Sequence, residues 1–176
     1  AYLCYEQADY YCENDEDRAL IQEAMDRERN CAGFEVHLTS IVILSYNIKD
    51  ILKGCIQSIR VTCPESAYEL VVVDNASDDG AAEWLKEQTD LVLQCNTENF
   101  GFAGGCNQGI ELSSPQNDIL LLNNDTIVPP NALFWLRIGL YERATVGAVG
   151  PITNYAGNNQ ALSEKLGSVQ EYLNEA

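Results

Sequence analysis

The chain has 176 residues, a formal net charge of -17 and 46% hydrophobic residues. That apolar fraction supplies a core for one α/β domain plus an extension, and it excludes wholesale disorder. The acidity excludes nucleic-acid polymers and anionic membrane surfaces as partners, leaving small phosphorylated ligands held by backbone N–H groups or a divalent cation.

Residues 1–36 stand apart as an acidic segment, with a helix-like stretch from Asp15 to Arg29 whose apolar stripe is only Ala19, Leu20, Ala24 and Met25. It reads as a helical extension or linker, with an acidic partner-binding segment as the alternative. A regular pattern starts near residue 37 and is read as one domain over 37–176. Ser40–Tyr46 is an apolar, β-branched run and predicts a buried strand. Ile51, Leu52, Cys55, Ile56 and Ile59 follow at helical spacing up to Pro64.

Glu69–Asp74 predicts a second strand, and Ser77 is placed to cap a helix running to about Glu87. Leu91–Cys95 predicts a third strand. A glycine-rich loop from Asn99 to Gly105 leads into a short helix at Cys106–Leu112. Asp118–Leu122 predicts a fourth strand, Pro130 opens a helix to about Arg143, and Val146–Val149 predicts a fifth strand, with a last helix over 163–174. Strands alternating with helices predict a three-layer α/β/α sandwich around a mostly parallel sheet.

The seven cysteines show no CxxC pair and no zinc spacing. They read as buried reduced thiols of a cytoplasmic protein. No signal peptide or bilayer-spanning run is read, and the chain, which begins with Ala, reads as a piece of something longer.

Ligands of open α/β sheets bind outside the carboxyl ends of the strands. Here those ends are polar: Ser45, Tyr46 and Asn47 after the first strand, Asp74 and Asn75 after the second, and Asn123, Asn124 and Asp125 after the fourth. Asp74 suits hydrogen bonds from a base or ribose, or else caps its own turn. Asp78 and Asp79 are read as structural, favoured by a helix dipole. Asp125 offers hard oxygen ligands for Mg²⁺ or Mn²⁺ bridging a diphosphate, and no Lys or Arg is placed beside these ends to replace the metal. The glycines of Asn99–Gly109 suit either close approach to a ligand or tight helix–sheet packing. They follow the third strand and lack GxGxxG spacing, which argues against a dehydrogenase.

Ser40–Asn47 (SIVILSYN), Val71–Gly80 (VVVDNASDDG), Asn99–Asn107 (NFGFAGGCN), Leu121–Asp125 (LLNND) and Gly150–Gln160 resemble, in collinear order, the family-2 inverting glycosyltransferases of GT-A fold. The closest flavour is their rhamnosyltransferase-like branch. The resemblance implies that Ser45, Tyr46 and Asn47 line a nucleoside pocket, and that Asp74 and Asn75 read the base or ribose. It implies that Phe102, Gly104, Gly105 and Asn107 border the nucleotide and sugar. Asn124 and Asp125 match the DXD-type motif, with Asp125 as metal ligand and Asn124 in place of a common acidic residue.

The implied donor is a nucleotide-diphosphate sugar, with dTDP or UDP as the guess, and the implied acceptor is a glycan or other hydroxyl compound of cell-surface polysaccharide synthesis. The implied reaction is hexosyl transfer with inversion. Its general base belongs to an acceptor half that this chain is expected to lack. Glu164, Glu171 and Glu175 are poor candidates on an exposed helix, and His37 precedes the first strand. The GT-A domain is therefore expected to be incomplete at its C-terminus, with a truncated edge open to association. Two rivals are a non-catalytic nucleotide-sugar-binding or scaffold module of the same fold, and a nucleotidyltransferase, whose Gly- and Lys/Arg-rich loop is missing after the first strand.

Overall fold

A computed structural model describes residues 1–151. They fall into two compact units, Glu35–Val128 and Ala1–Phe34 with the residues from Pro129 onward.

The Glu35–Val128 unit is built on four parallel strands: β1 (Thr39–Ser45), β2 (Tyr68–Asp74), β3 (Val92–Cys95) and β4 (Asp118–Asn123). Their order across the sheet is β3-β2-β1-β4. β1 and β2 are central and bury both faces, so they read as continuous apolar runs: Ile41, Val42, Ile43, Leu70, Val71, Val72 and Val73 are all buried. Among the described residues β4 pairs only with β1, and its pattern alternates in exposure, leaving Ile119 and Leu121 open.

Helix α3 (Lys49–Thr62) links β1 to β2 and buries Leu52, Cys55, Ile56 and Ile59 along one stripe. A 3₁₀ turn, Glu65–Ala67, follows Pro64. The short α4 (Ala81–Lys86) links β2 to β3, and α5 (Gly101–Leu112) links β3 to β4. α5 lies directly on β1. A Cβ on Gly105 would overlap the Leu44 methyls, and one on Gly109 would overlap Val42. These glycines, four residues apart on one helix face, let the backbone sit closer to the sheet than any other residue allows.

The other unit contains α1 (Tyr2–Tyr11), α2 (Asp15–Arg29) and α6 (Ala132–Leu140). Asn14 caps α2 by accepting from the Glu16 and Asp17 N–H groups. The acidic first turn of α2 and Arg27 and Arg29 in its last both complement the helix dipole. α1 holds α6 through a buried ion pair, Glu6 with Arg137. The Asn131 amide oxygen, at φ 65°, accepts from Gln7 Nε2 (2.8 Å) and Tyr11 OH (3.0 Å).

The architecture is the expected α/β type with a parallel sheet and an acidic helical N-terminal extension. Several local expectations need correction. Val146–Val149 is not a strand: Gly147 and Ala148 give it little β propensity, and no ladder partner stands beside it among the described residues. Most of the expected glycine loop is the first turn of α5, because helix–sheet packing outweighs the poor helix propensity of glycine. Ser77 does not cap α4, which begins after Gly80 at φ 82°. The Asp79 carboxylate accepts the Ala81 N–H instead, at 3.0 Å. Proline at 130 precedes α6, but the helix starts at Ala132 and ends at Leu140. Only Cys55, Cys63 and Cys106 of the seven free thiols are buried, whereas Cys4 and Cys31 are exposed. The helix expected over 163–174, with Glu164 and Glu171, and the nearby Glu175 lie outside the described residues.

Candidate active site

The chain runs from β1 outward through β2 to β3, then returns to the other side of β1 to form β4. β1 and β4 are thus the switch point, where two crossovers leave in opposite directions and open a crevice at the strand carboxyl ends. A cleft of about 430 Å³ lies there. Val42 and Leu44 line it from β1 and Tyr46 from the turn after it, Leu121 to Asp125 from β4 and its turn, and Gly101, Phe102 and Cys106 from α5, together with Asn75 and Asn99.

The register explains why the polar residues meet. Ser45 pairs with Asp74 and Asp74 with Cys95, so β1, β2 and β3 end on one line, and Asn123, paired with Leu44, ends β4 one register position short of it. Each expected residue then takes a distinct place. Tyr46 (47% exposed) and Phe102 (64% exposed) both line the cleft and offer aromatic faces to solvent. Asp125 is exposed in the turn after β4, beside Asn123 and Asn124. Asn124 Nδ2 donates to the Leu44 carbonyl at 2.7 Å, which ties the β4 turn to β1.

Ser45 and Asp74 do not line the cleft. Ser45 is fully buried, and its Oγ has no hydrogen-bond partner among the described residues. Asp74 is 1% exposed, and both of its oxygens accept from Ser77, from the hydroxyl at 2.6 Å and from the N–H at 3.0 Å. Asn47, at φ 54°, accepts the Asp78 N–H at 2.8 Å and donates its own N–H to Ser77 Oγ at 3.0 Å. Asp74, Ser77 and Asn47 therefore knit the loops after β1 and β2 together. Gly104 and Gly105 belong to α5, with Gly105 pressed on Leu44, and Asn107 is exposed on the same helix.

One expectation about charge is corrected. A lysine does stand at this end: the Lys49 N–H donates to Asp79 at 2.7 Å, and its Nζ lies 3.0 Å from where a Gly80 Cβ would be. The Lys49 N–H is the main cause holding the Asp79 carboxyl below its ordinary range. Lys49 was missed because it is four residues past the strand, on the first turn of α3. Among the described residues no basic side chain lines the cleft itself.

Among the described residues no three His, Cys, Asp or Glu side chains converge as a metal cage. One exposed carboxylate with neighbouring amides fits a different arrangement, in which a divalent cation draws most of its oxygens from a bound diphosphate. Asp125 would hold such an ion, with Asn124 beside it. Behind Asp125, Cys55 is fully buried, and that burial, with a smaller effect of the Asp125 charge, pushes its thiol up to about 11.

Sequence reasoning also missed the residues that shape the cleft wall. Asn96, Asn99 and Gln108 join Asn75 in an amide network, and Cys106 and Leu121 add apolar floor. Asparagines bracketing a glycine segment were the available sign.

Comparison with known proteins places these features in a family. The model of "Glycosyl transferase family 2" matches residues 40–166. Poly-beta-1,6-N-acetyl-D-glucosamine synthase of Staphylococcus aureus (strain MSSA476) is 26% identical over 132 residues, covering 73% of this chain and 32% of that protein. The uncharacterized glycosyltransferase YfnE of Bacillus subtilis (strain 168) is 30% identical over 106 residues, covering 58% of this chain and 26% of that protein. The chain thus spans about a third of the length of these curated relatives or less. Among solved structures, S. aureus TarS 1-349 superposes with a TM-score of 0.53 at 18% identity, over 60% of this chain and 32% of that one. TarS 1-349 in complex with UDP-GlcNAc gives the same score over 60% and 31%. These likenesses show the GT-A fold.

Proposed function

The chain belongs to glycosyl transferase family 2, and from that premise we propose that its cleft binds a nucleotide-diphosphate sugar for transfer to a glycan or other hydroxyl acceptor. The observation that carries this reading is the convergence at the β1/β4 switch point of two exposed aromatic side chains, Tyr46 and Phe102, with the exposed Asp125 carboxylate. Aromatic faces suit a base or sugar ring, and a carboxylate suits the cation of a diphosphate. Support for the donor class comes from TarS, whose structure is known with UDP-GlcNAc. A UDP- or dTDP-hexose is the donor we infer. The motif sequence, with its glycine segment and Asn-Asn-Asp, supports placement in a rhamnosyltransferase-like branch.

We assign these residues to the donor-binding half of a cytoplasmic, inverting enzyme that builds cell-surface polysaccharide. The acceptor hydroxyl displaces the nucleotide diphosphate from the anomeric carbon, losing its proton to a base that we do not assign to a residue of this chain. A divalent cation, when bound, would offset negative charge on the leaving diphosphate. Asp125 and Asn124 would hold it, while Tyr46 and Phe102 orient the nucleotide and the apolar floor of Val42, Leu44 and Leu121 excludes water.

Calorimetric titration with UDP, dTDP and GDP, each with and without Mn²⁺, tests this reading. Metal-dependent binding of one nucleotide, weakened about tenfold or more by Asp125→Ala, is expected. Binding that ignores both Mn²⁺ and Asp125 would remove the metal assignment. No binding by the folded chain would contradict this reading and leave the cleft vestigial as a donor site.

A further inference from the structure

The reading of Asn75 as a base or ribose contact meets an obstacle in its own hydrogen bonds. A carboxamide has two donor hydrogens and two acceptor lone pairs. Asn75 Nδ2 donates to Asn99 Oδ1 at 2.9 Å and to the Gly101 carbonyl at 3.2 Å. Its Oδ1 accepts from Asn96 Nδ2 at 3.0 Å and from the Phe100 N–H at 3.2 Å. All four are used, and the side chain is 1% exposed. Nothing is left for a ligand.

What those four bonds hold is the start of α5. Asn99 Oδ1 also accepts the Gly101 N–H at 2.8 Å, and Asn96 Nδ2 reaches on to Gln108 Oε1 at 2.7 Å. The network pins both the segment from Asn96 to Gly101 and a residue two turns into the helix. Gly101 needs this anchorage because it sits at φ 73° with open space around it. The N-cap residue of α5, Phe100, makes no side-chain cap of its own. The next residue is Phe102, whose ring is exposed in the cleft.

We infer that Asn75 is a positioning residue: with Asn96 and Asn99 it clasps the N-terminus of α5 and so sets Phe102 and the Gly101 backbone at the donor cleft. This rests on the reading of that cleft as a nucleotide-sugar site. Buried, fully satisfied amide networks fix one conformation, and they lose it sharply when one member is removed. Asn75 therefore acts on the ligand through Phe102 and makes no direct contact.

Two measurements on the 176-residue chain decide the matter. In amide hydrogen exchange, Asn75→Ala is expected to speed exchange across residues 97–105 about tenfold while leaving β1 unchanged. Asn99→Ala, at an exposed position that spares the core, is expected to do the same. Asn99→Asp is expected to keep wild-type protection, because its oxygen still accepts both bonds. Unchanged exchange at 97–105 in both alanine variants would overturn the inference, as would equal loosening by Asn99→Asp and Asn99→Ala.

The second measurement is a double-mutant cycle on nucleotide affinity. Asn75→Ala alone is expected to weaken UDP binding about tenfold, and to add little in a Phe102→Ala background. Full additivity of the two losses would also overturn the inference. If the wild-type chain binds no nucleotide, the functional reading fails, and the exchange measurement still decides the clasp.

Discussion

At the scale of single residues, the burial of a group decides its chemistry more than its identity does. Cys55 is fully buried, and that burial, helped by the nearby Asp125 charge, pushes its thiol up to about 11. Burial also pushes up Cys63, and raises Tyr68 to about 12. In the unfolded chain such thiols release their protons near pH 9. Between about pH 9 and 11 the folded state then binds more protons than the unfolded one, so stability falls as pH rises. Urea denaturation from pH 8 to 11 is expected to show this fall, and Cys55→Ala is expected to flatten it. Thiol labelling of the native chain at pH 8 is expected to reach Cys4 and Cys31 and to spare Cys55.

The same scale shows what a sequence conveys about a site. Tyr46, Asn124 and Asp125 were legible because polar residues closing an apolar strand must emerge at its end. Which of them faces the cleft was not legible, since it depends on partners from other loops. Asp74 is the clearest case, its carboxylate occupied by Ser77 three residues on. Sequence pattern left two roles open for Asp74, a base or ribose contact and a cap of its own turn, and the folded loop selects the second.

Among the elements, α5 shows packing overriding propensity. Its glycines read as a loop because glycine is a poor helix former, yet Gly105 and Gly109 are spaced for one face. That face rests on Leu44 and Val42. Gly109→Ala gains less than about 1 kcal/mol of helix propensity but forces overpacking that costs about 1–3 kcal/mol, so net destabilisation is expected. Gly54→Ala in α3 makes the contrast, because its Cβ would meet only Ile127 Cδ1 at 3.8 Å. Stabilisation of about 0.5–1 kcal/mol is expected there, and thermal melts of the two variants should move in opposite directions. The strands were legible for the converse reason: β1 and β2 are buried on both faces and carry unbroken apolar runs. Val146–Val149 resembled them only in composition.

For the whole molecule, the notable feature is that an acidic N-terminal extension is organised rather than trailing. Glu6 and Arg137 are buried together, each about 4% exposed in its side chain. Burial raises the Glu6 carboxyl above its ordinary range, opposed by Arg137 and more weakly by Arg29 and Tyr2. Removing one member strands the other charge in the interior, so Glu6→Ala is expected to cost about 3–5 kcal/mol in equilibrium unfolding. Replacing both together, with Glu6→Leu and Arg137→Leu, is expected to recover most of that loss. Sequence periodicity showed a thin apolar stripe in this segment but not the long-range ion pair, because its partner lies 131 positions away.

The proposed role of the β1/β4 switch point is to bind the nucleotide of a sugar donor. Chemical-shift mapping of the 19.5 kDa chain on adding UDP with Mg²⁺ tests it most directly. Shifts are expected at residues 44–47, 99–106 and 121–126 that saturate together, with none at the groove of Arg60, Tyr68 and Asp90. Saturable shifts at that second groove with an unchanged switch point would contradict it.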